Sequence, residues 1–166
     1  MKRISLSLTI FGLVLLILSG CKEEVMGDQE TAKQYVEKLG YKITSTNEQV
    51  YKYIIEKGTM EDTLNQQIWG VQQIEPDKYF GKDISMYGFT VSNHPLEKLY
   101  NLKTTVSIML CDGKVIGGTS FPAGKGEQRL LGAAYTLDGK TLEEATGLTY
   151  KEWKEKWHKK YGNAST

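Results

Sequence analysis

The sequence has few of the residues that build metal centres or disulfides, with two cysteines and two histidines in 166 residues. The histidines, His94 and His158, lie far apart, and neither Cys-x-x-Cys nor His-x-x-x-His spacing occurs. We therefore predict no metal site. The Gly-x-Ser-x-Gly motif of many serine hydrolases is also absent. We assign no catalytic residue and no cofactor, and we expect a protein that is not an enzyme.

An excess of either charge is absent too, because 21 lysines and arginines stand against 20 aspartates and glutamates. A balanced chain gives no electrostatic reason to bind nucleic acid, and no nucleic-acid partner is expected. One long apolar run occurs, Ile4–Leu18, and Lys2 and Arg3 precede it. This run is shorter than the ~20 residues that a membrane-spanning helix needs. Its length and its positive flank are typical of a signal peptide.

The apolar run ends in Leu18-Ser19-Gly20-Cys21, which resembles the lipobox of bacterial lipoproteins. The resemblance implies that the Cys21 thiol receives a diacylglyceryl group and that the chain is cleaved between Gly20 and Cys21. Two acyl chains, at about 0.8 kcal/mol per buried CH₂, anchor a protein stably where one chain does not. We therefore predict a lipoprotein on the outer face of the plasma membrane. The alternative is a plain apolar anchor in which the cysteine has no role.

Processing would divide the chain into a signal peptide (1–20), a polar tether (21–27) and one globular domain (28–162). Loss of Lys2 and Arg3 leaves 19 of the 21 basic residues against 20 acidic ones, a formal charge of −1. Lipidation of Cys21 leaves Cys111 without a disulfide partner, so the fold must rest on packing. We expect Cys111 to be a small, partly buried residue rather than a reactive thiol.

The mature chain begins and ends with helical patterns. Asp28 is the predicted N-cap of a helix over Gln29–Leu39, and Gly40 follows as its C-terminal glycine. Near the other end, Thr141 and Thr149 each open a capping box and predict two further helices. The last helix has an aromatic stripe, which we expect to pack in the core rather than to contact lipid or a ligand. The stripe consists of Tyr150, Trp153, Trp157 and Tyr161.

Between these helices the pattern is mostly strand and turn. The predicted strands are Tyr41–Thr44, Gln49–Glu56, Ile84–Ser92, Thr104–Leu110, Lys114–Phe121 and Arg129–Leu137. Asn47 predicts a turn between the first two, and a short helix is predicted over Met60–Gln67. The residues expected to face inward in that region are Leu64, Ile68, Trp69 and Val71. The carboxylates Glu75, Asp77 and Asp83 have no spacing that fixes a geometry, and we expect them in a solvated loop.

Asp112-Gly113 between two apolar strands is a strong hairpin signal, because both central residues of that turn need positive φ. Gly117 and Gly118, next to each other in the second strand, predict a bulge or a close approach of another part of the chain. Together these elements predict an α+β fold. We expect an antiparallel sheet of about five strands, covered on one face by the N- and C-terminal helices.

Several segments resemble small lipoproteins of spore-forming Gram-positive bacteria. They are Pro76-Asp77-Lys78-Tyr79-x-Gly81-Lys82, Tyr87-Gly88-Phe89-Thr90-Val91, Asn93-His94-Pro95-Leu96-Glu97, Gly113-Lys114-Val115-Ile116-Gly117-Gly118, Asp138-Gly139-Lys140-Thr141-Leu142-Glu143-Glu144 and Trp153-x-x-x-Trp157. The resemblance covers most of the mature chain and supports the lipoprotein interpretation. It implies no activity and no site residue.

Our leading hypothesis is a non-enzymatic binding or assembly module that contacts the membrane through Cys21 and an unknown protein or envelope partner. The candidate binding surface contains Asn93, His94, Gly117 and Gly118, which lie in turns and Gly-rich segments with exposed backbone. One alternative is a cell-envelope hydrolase that uses Cys111 and His94 as nucleophile and base. For His94, a turn histidine that bonds its neighbours is the simpler interpretation. Another alternative is that the released signal sequence is the source of a signalling peptide.

Overall fold

A computed structural model describes residues 27–124 and 132–162. The helices are α1 (Asp28–Lys38), α2 (Thr63–Trp69), α3 (Pro95–Tyr100), α4 (Leu142–Thr146) and α5 (Tyr150–Tyr161). The strands are β1 (Lys42–Thr46), β2 (Tyr51–Ile54), β3 (Asp83–Ser92), β4 (Thr104–Cys111) and β5 (Lys114–Pro122). Two 3₁₀ turns, Lys57–Thr59 and Pro76–Tyr79, complete the elements. The five strands form one antiparallel sheet, and the predicted α+β class is confirmed.

The first two strands do not pair with each other. β1 pairs with the Phe89–Ser92 half of β3, and β2 pairs with the Asp83–Met86 half. The turn predicted at Asn47 is therefore only a bend between two strands on the same edge. The Asn47 N–H donates to the Gly88 carbonyl over 2.9 Å, which keeps the chain beside β3 at that point.

The β4–β5 hairpin is confirmed. Asp112 and Gly113 have φ of 51° and 71°, as its two-residue turn requires. The predicted irregularity at the glycines is also present, because the β4–β5 register shifts between Met109 and Leu110, next to Gly117. The extra β5 residue at this shift changes which face of the sheet the following β5 side chains point to. It lies at the position where a side chain from outside the sheet approaches β5.

Helices pack on both faces of the sheet, whereas we expected the terminal helices to share one face. α1 packs through Ala32 and Val36 on the face formed by alternate residues of β3 and β4, including Phe89 and Ile108. α5 packs on the opposite face with Trp69 of α2. β4 accounts for this arrangement, because its final residues, Met109 to Cys111, are apolar at every position and bury both sides.

Several helix boundaries differ from the sequence predictions. Gly27 is the N-cap of α1, and Asp28 lies inside the first turn, where its charge favours the helix dipole without a capping hydrogen bond. α2 begins at Thr63, after the N-cap Asp62, whereas Met60 lies at the end of the preceding 3₁₀ turn. Leu64 is 52% exposed, whereas Ile68, Trp69 and Val71 are buried as predicted.

α3 was not predicted. Its first residue is Pro95, whose fixed φ suits that position, and His94 caps it. Of the predicted strand Arg129–Leu137, residues 129–131 lie outside the described residues. Of the remainder, Tyr135 forms a single bridge with Ser120. Both capping boxes are present, and Gly147 and Gly40 have the positive φ expected after a helix.

Candidate functional site

A cavity of about 500 Å³ lies between α2, α4, the start of α5 and the end of β5. Five aromatic side chains line it: Tyr100, Phe121, Tyr135, Tyr150 and Trp153. Its volume is within the range of small-molecule pockets, which are mostly apolar with a few polar groups. A shallower groove that contains Leu64 shares its Phe121 and Ala134 wall. The cavity and this groove together form an apolar surface with an exposed rim.

Close packing of α2 on α5 positions the inner wall. A Cβ at Gly70 would lie 2.7 Å from the Trp153 ring and 2.5 Å from the Gln66 carbonyl, so the absent side chain lets the indole reach this depth. The ring of Tyr150 stacks near Trp153, with 6.1 Å between centroids. Tyr150 is 52% exposed, so three members of the aromatic stripe are core residues and the fourth lies at the mouth of the cavity.

Tyr100 and Tyr135 form another part of the cavity wall. Their hydroxyls share a hydrogen bond, and their rings meet edge to face with centroids 6.2 Å apart. The Tyr135 backbone is fixed by two hydrogen bonds to Ser120 of 2.9 and 3.0 Å. The bond to Tyr100, together with burial, raises the pKa of Tyr135 to about 12. The Tyr135 phenol is therefore neutral at physiological pH and acts as a hydrogen-bonding group.

The structure places all four predicted surface residues in internal contacts. Asn93 is exposed, but its side-chain amide donates to the Gly40 carbonyl over 3.3 Å. His94 is 2% exposed. Its Nδ1 accepts a hydrogen bond from the Leu96 N–H over 3.1 Å, so its Nε2–H donates to the Leu137 carbonyl at 3.0 Å. Burial lowers the pKa of His94, in spite of opposing effects of this bond and of nearby carboxylates. His94 is the capping, neighbour-bonding histidine of the simpler interpretation.

Gly117 and Gly118 receive the side chain of Gln72. The Gln72 amide accepts from the Gly118 N–H and donates to the Gly118 carbonyl, both at 3.0 Å. A Cβ at Gly117 would lie 2.3 Å from the Gln72 oxygen, so the close approach predicted at these glycines is confirmed. Leu137 lies between the two parts of the predicted surface, because it would also contact a Cβ at Gly118. A partner surface at these four residues stays a prediction.

Cys111 and His94 are not brought together. Cys111 is next to β3 residue Ile84, whereas His94 follows the other end of β3, about 10 residues or roughly 30 Å away. Cys111 is 4% exposed, and burial raises the pKa of its thiol. A buried protonated thiol is a poor nucleophile. The arrangement gives no support to a Cys111–His94 hydrolase.

Two of the three carboxylates expected in a solvated loop are exposed, as predicted, and also form ion pairs with the end of α5. Lys160 forms ion pairs with Glu75 and with Asp77, the latter at 2.8 Å. The Tyr161 hydroxyl donates to Asp77 over 2.6 Å. Burial raises the pKa of Asp77, but the hydrogen bonds from Lys160 and Tyr161 outweigh it and hold that pKa below its usual value.

The lipidation and cleavage residues, Gly20 and Cys21, lie outside the described residues. Within residues 27–124 and 132–162, no helix is long and apolar enough to cross a membrane. The same part of the chain has no group of three or more His, Cys, Asp or Glu placed to hold a metal ion.

No protein-family model, curated protein or solved structure matches this chain. The site must therefore be interpreted from its own geometry. Sequence reasoning missed the cavity because Tyr100, Phe121 and Tyr135 come from separate elements. The one available signal was Tyr150, which begins the aromatic stripe at the exposed end of α5.

Proposed function

We propose that this chain is a lipid-anchored protein on the outer face of a Gram-positive plasma membrane, and that it binds an apolar ligand without catalysing a reaction. The cavity of about 500 Å³ between α2, α4 and α5 is the observation that carries the proposed binding activity. The lipobox at Leu18–Cys21 supports the anchor.

The position of the cavity agrees with an anchored role. Asp28, which follows the tether, lies beside Gly113 at the hairpin end of the sheet, 3.6 Å from where a Cβ would be. The cavity contains Phe121 and Pro122, at the other end of β5 and roughly 25 Å away. The seven residues of the tether 21–27 can span at most about 25 Å. The hairpin end is therefore the part of the domain that follows the anchor most closely along the chain, and the cavity lies at the other end of the sheet.

The ligand site is the cavity rather than the surface around Asn93. Polar groups already satisfied inside the protein offer little to a partner, whereas exposed apolar side chains gain free energy when they are covered. Leu64, Tyr100 and Tyr150 on the rim are 52%, 40% and 52% exposed. The released-peptide alternative concerns residues outside the described ones. It stays a prediction, to be tested by complementation with a foreign lipoprotein signal.

The neutral probe N-phenyl-1-naphthylamine, whose fluorescence rises in apolar surroundings, tests the cavity. Both cores are built within residues 32–161, so a soluble chain that begins at Lys22 contains every core residue. We expect saturable binding to this chain. In Ala134→Trp the new indole occupies part of the cavity, so the affinity for the probe should fall at least about tenfold, or ~1.4 kcal/mol of binding free energy. Ala123→Trp, which lies outside the cavity, should leave it unchanged. Equal binding by all three chains would contradict the proposal.

A further inference from the structure

The walls of the cavity present aromatic rings from several directions. Tyr150 and Trp153 form one wall, and Tyr100 and Tyr135, with their rings at 65°, form another. Phe121 lies in the wall that the cavity shares with the neighbouring groove. Aromatic faces carry partial negative charge and attract cations. Rings of different orientation allow a single bound cation to meet more than one face or hydroxyl.

The charged side chain at the cavity is negative, the same sign as the partial charge on the aromatic faces. Of the described residues that line it, Glu143 is the one charged side chain, and it is exposed at the mouth. The neighbouring Glu144 also acts electrostatically on Tyr135. The Lys154 ammonium lies 5.9 Å from the centroid of the Tyr150 ring, but Lys154 does not line the cavity. Tyr150 thus already attracts a cation from its own chain.

We propose that the cavity selects organic cations, meaning ligands with an amine or quaternary ammonium head attached to an apolar body. The inference rests on the proposed function, in which this cavity is the ligand site. The apolar body fills the space against Phe121 and Trp153, and the head lies among the tyrosine rings toward Glu143. An anionic head at the same position would meet the faces of the aromatic rings and a carboxylate. The neutral Tyr135 hydroxyl offers no charge to compensate it.

Three naphthalenes of similar size test this selectivity. They are a cation, (naphthalen-1-yl)methyl-trimethylammonium, a neutral alcohol, 1-naphthalenemethanol, and a carboxylate, the anion of 1-naphthaleneacetic acid. Each is titrated into the ¹⁵N-labelled chain beginning at Lys22. The three tryptophans give separable indole N–H signals, of which Trp153 lines the cavity. The other two indoles donate to Tyr53 and Met60 and serve as internal controls. We expect the cation to shift the Trp153 signal and to bind about tenfold more tightly than the alcohol. The carboxylate should bind more weakly than the alcohol.

Two variants locate the origin of the preference. Glu143→Gln should reduce the preference for the cation over the alcohol about threefold, with binding of the alcohol unchanged. Tyr150→Leu should reduce it further. Glu155→Gln, an exposed carboxylate of α5 outside the cavity, is the matched control and should have no effect. Alcohol binding that equals or exceeds cation binding would overturn the selectivity but leave the ligand site intact. Absence of any Trp153 shift with all three compounds would overturn both proposals.

Discussion

The Gln72 side chain pairs with the backbone of Gly118 through two hydrogen bonds of 3.0 Å, one to the N–H and one to the carbonyl. Its amide nitrogen also donates to the Ile68 carbonyl over 2.6 Å. Gln72 thus completes the edge of β5 and joins it to the end of α2. The two elements that it joins both border the cavity.

Gln72→Ala should lower the free energy of unfolding by about 1–3 kcal/mol, because it leaves polar backbone groups of the part-buried Gly118 without partners. Gln73, its exposed neighbour, supplies the matched control, and Gln73→Ala should change stability by no more than ~0.5 kcal/mol. Urea unfolding followed by tryptophan fluorescence measures both. Equal stabilities of the two variants would show that the Gln72–Gly118 pair has no structural role.

His94 makes the fold sensitive to mild acid. Its neutral ring accepts the Leu96 N–H, and protonation of Nδ1 would remove this cap from α3. Because burial lowers the pKa in the folded state, the contribution of His94 is fully present above the unfolded value of about 6.5 and is lost as pH falls below it. The Tyr41 ring, 4.6 Å away, together with Asp138 and Glu97, faces this imidazole. The two carboxylates oppose the effect of burial.

The measurement is the free energy of unfolding of the wild type and of His94→Asn between about pH 7 and pH 5. Asparagine can cap a helix but does not titrate. We expect the wild type to lose more stability than the variant over this range. Parallel curves for the two proteins would contradict the assigned role of the His94 ring.

Tyr161→Phe tests the attachment of the end of α5. The hydroxyl donates to Asp77, and its loss should cost about 1 kcal/mol or less, since solvent screens the partly exposed carboxylate. The pKa of Asp77 is lowered in the folded state, so this stabilisation is present above the ordinary value of about 3.9 and is lost as pH falls. The difference between wild type and variant should therefore be smaller near pH 3 than near pH 6. Tyr51→Phe, at an exposed tyrosine on the sheet edge, is the control.

Cys111 should be unreactive in the folded protein. Its side chain is 4% exposed, and burial followed by the charge of Asp112 raises its pKa. In a chain that begins at Lys22 it is the single cysteine. We expect slow reaction with a thiol reagent at neutral pH and fast reaction in denaturant. Rapid modification of the folded chain would instead favour the reactive thiol that the hydrolase hypothesis requires.

Sequence patterns predicted the parts of the fold that depend on near neighbours. Asp112-Gly113 determines its own turn, and Thr141 and Thr149 cap helices through residues three positions away. The order of the strands in the sheet could not be predicted from such local patterns. β1 and β2 both pair with β3 because Asn47 bonds to Gly88, a contact between residues 41 positions apart that no periodicity contains.

In the candidate site, local patterns again identified single residues but not the long-range contacts that they make. Glycines 117 and 118 indicated a close approach, but nothing local identified Gln72 as the side chain that makes it. The cavity depends on Gly70, which leaves room for the Trp153 ring, and on the contact of Tyr100 with Tyr135. These two contacts join residues 83 and 35 positions apart.

The proposed lipid on Cys21 can be detected in the intact mass of the protein isolated from the membrane fraction. We expect a wild-type chain that begins at Cys21 and carries a diacylglyceryl group. A Cys21→Ala chain should be unprocessed or released from the membrane and should lack the lipid mass. An unmodified wild type in the soluble fraction would show that the protein is not lipid-anchored.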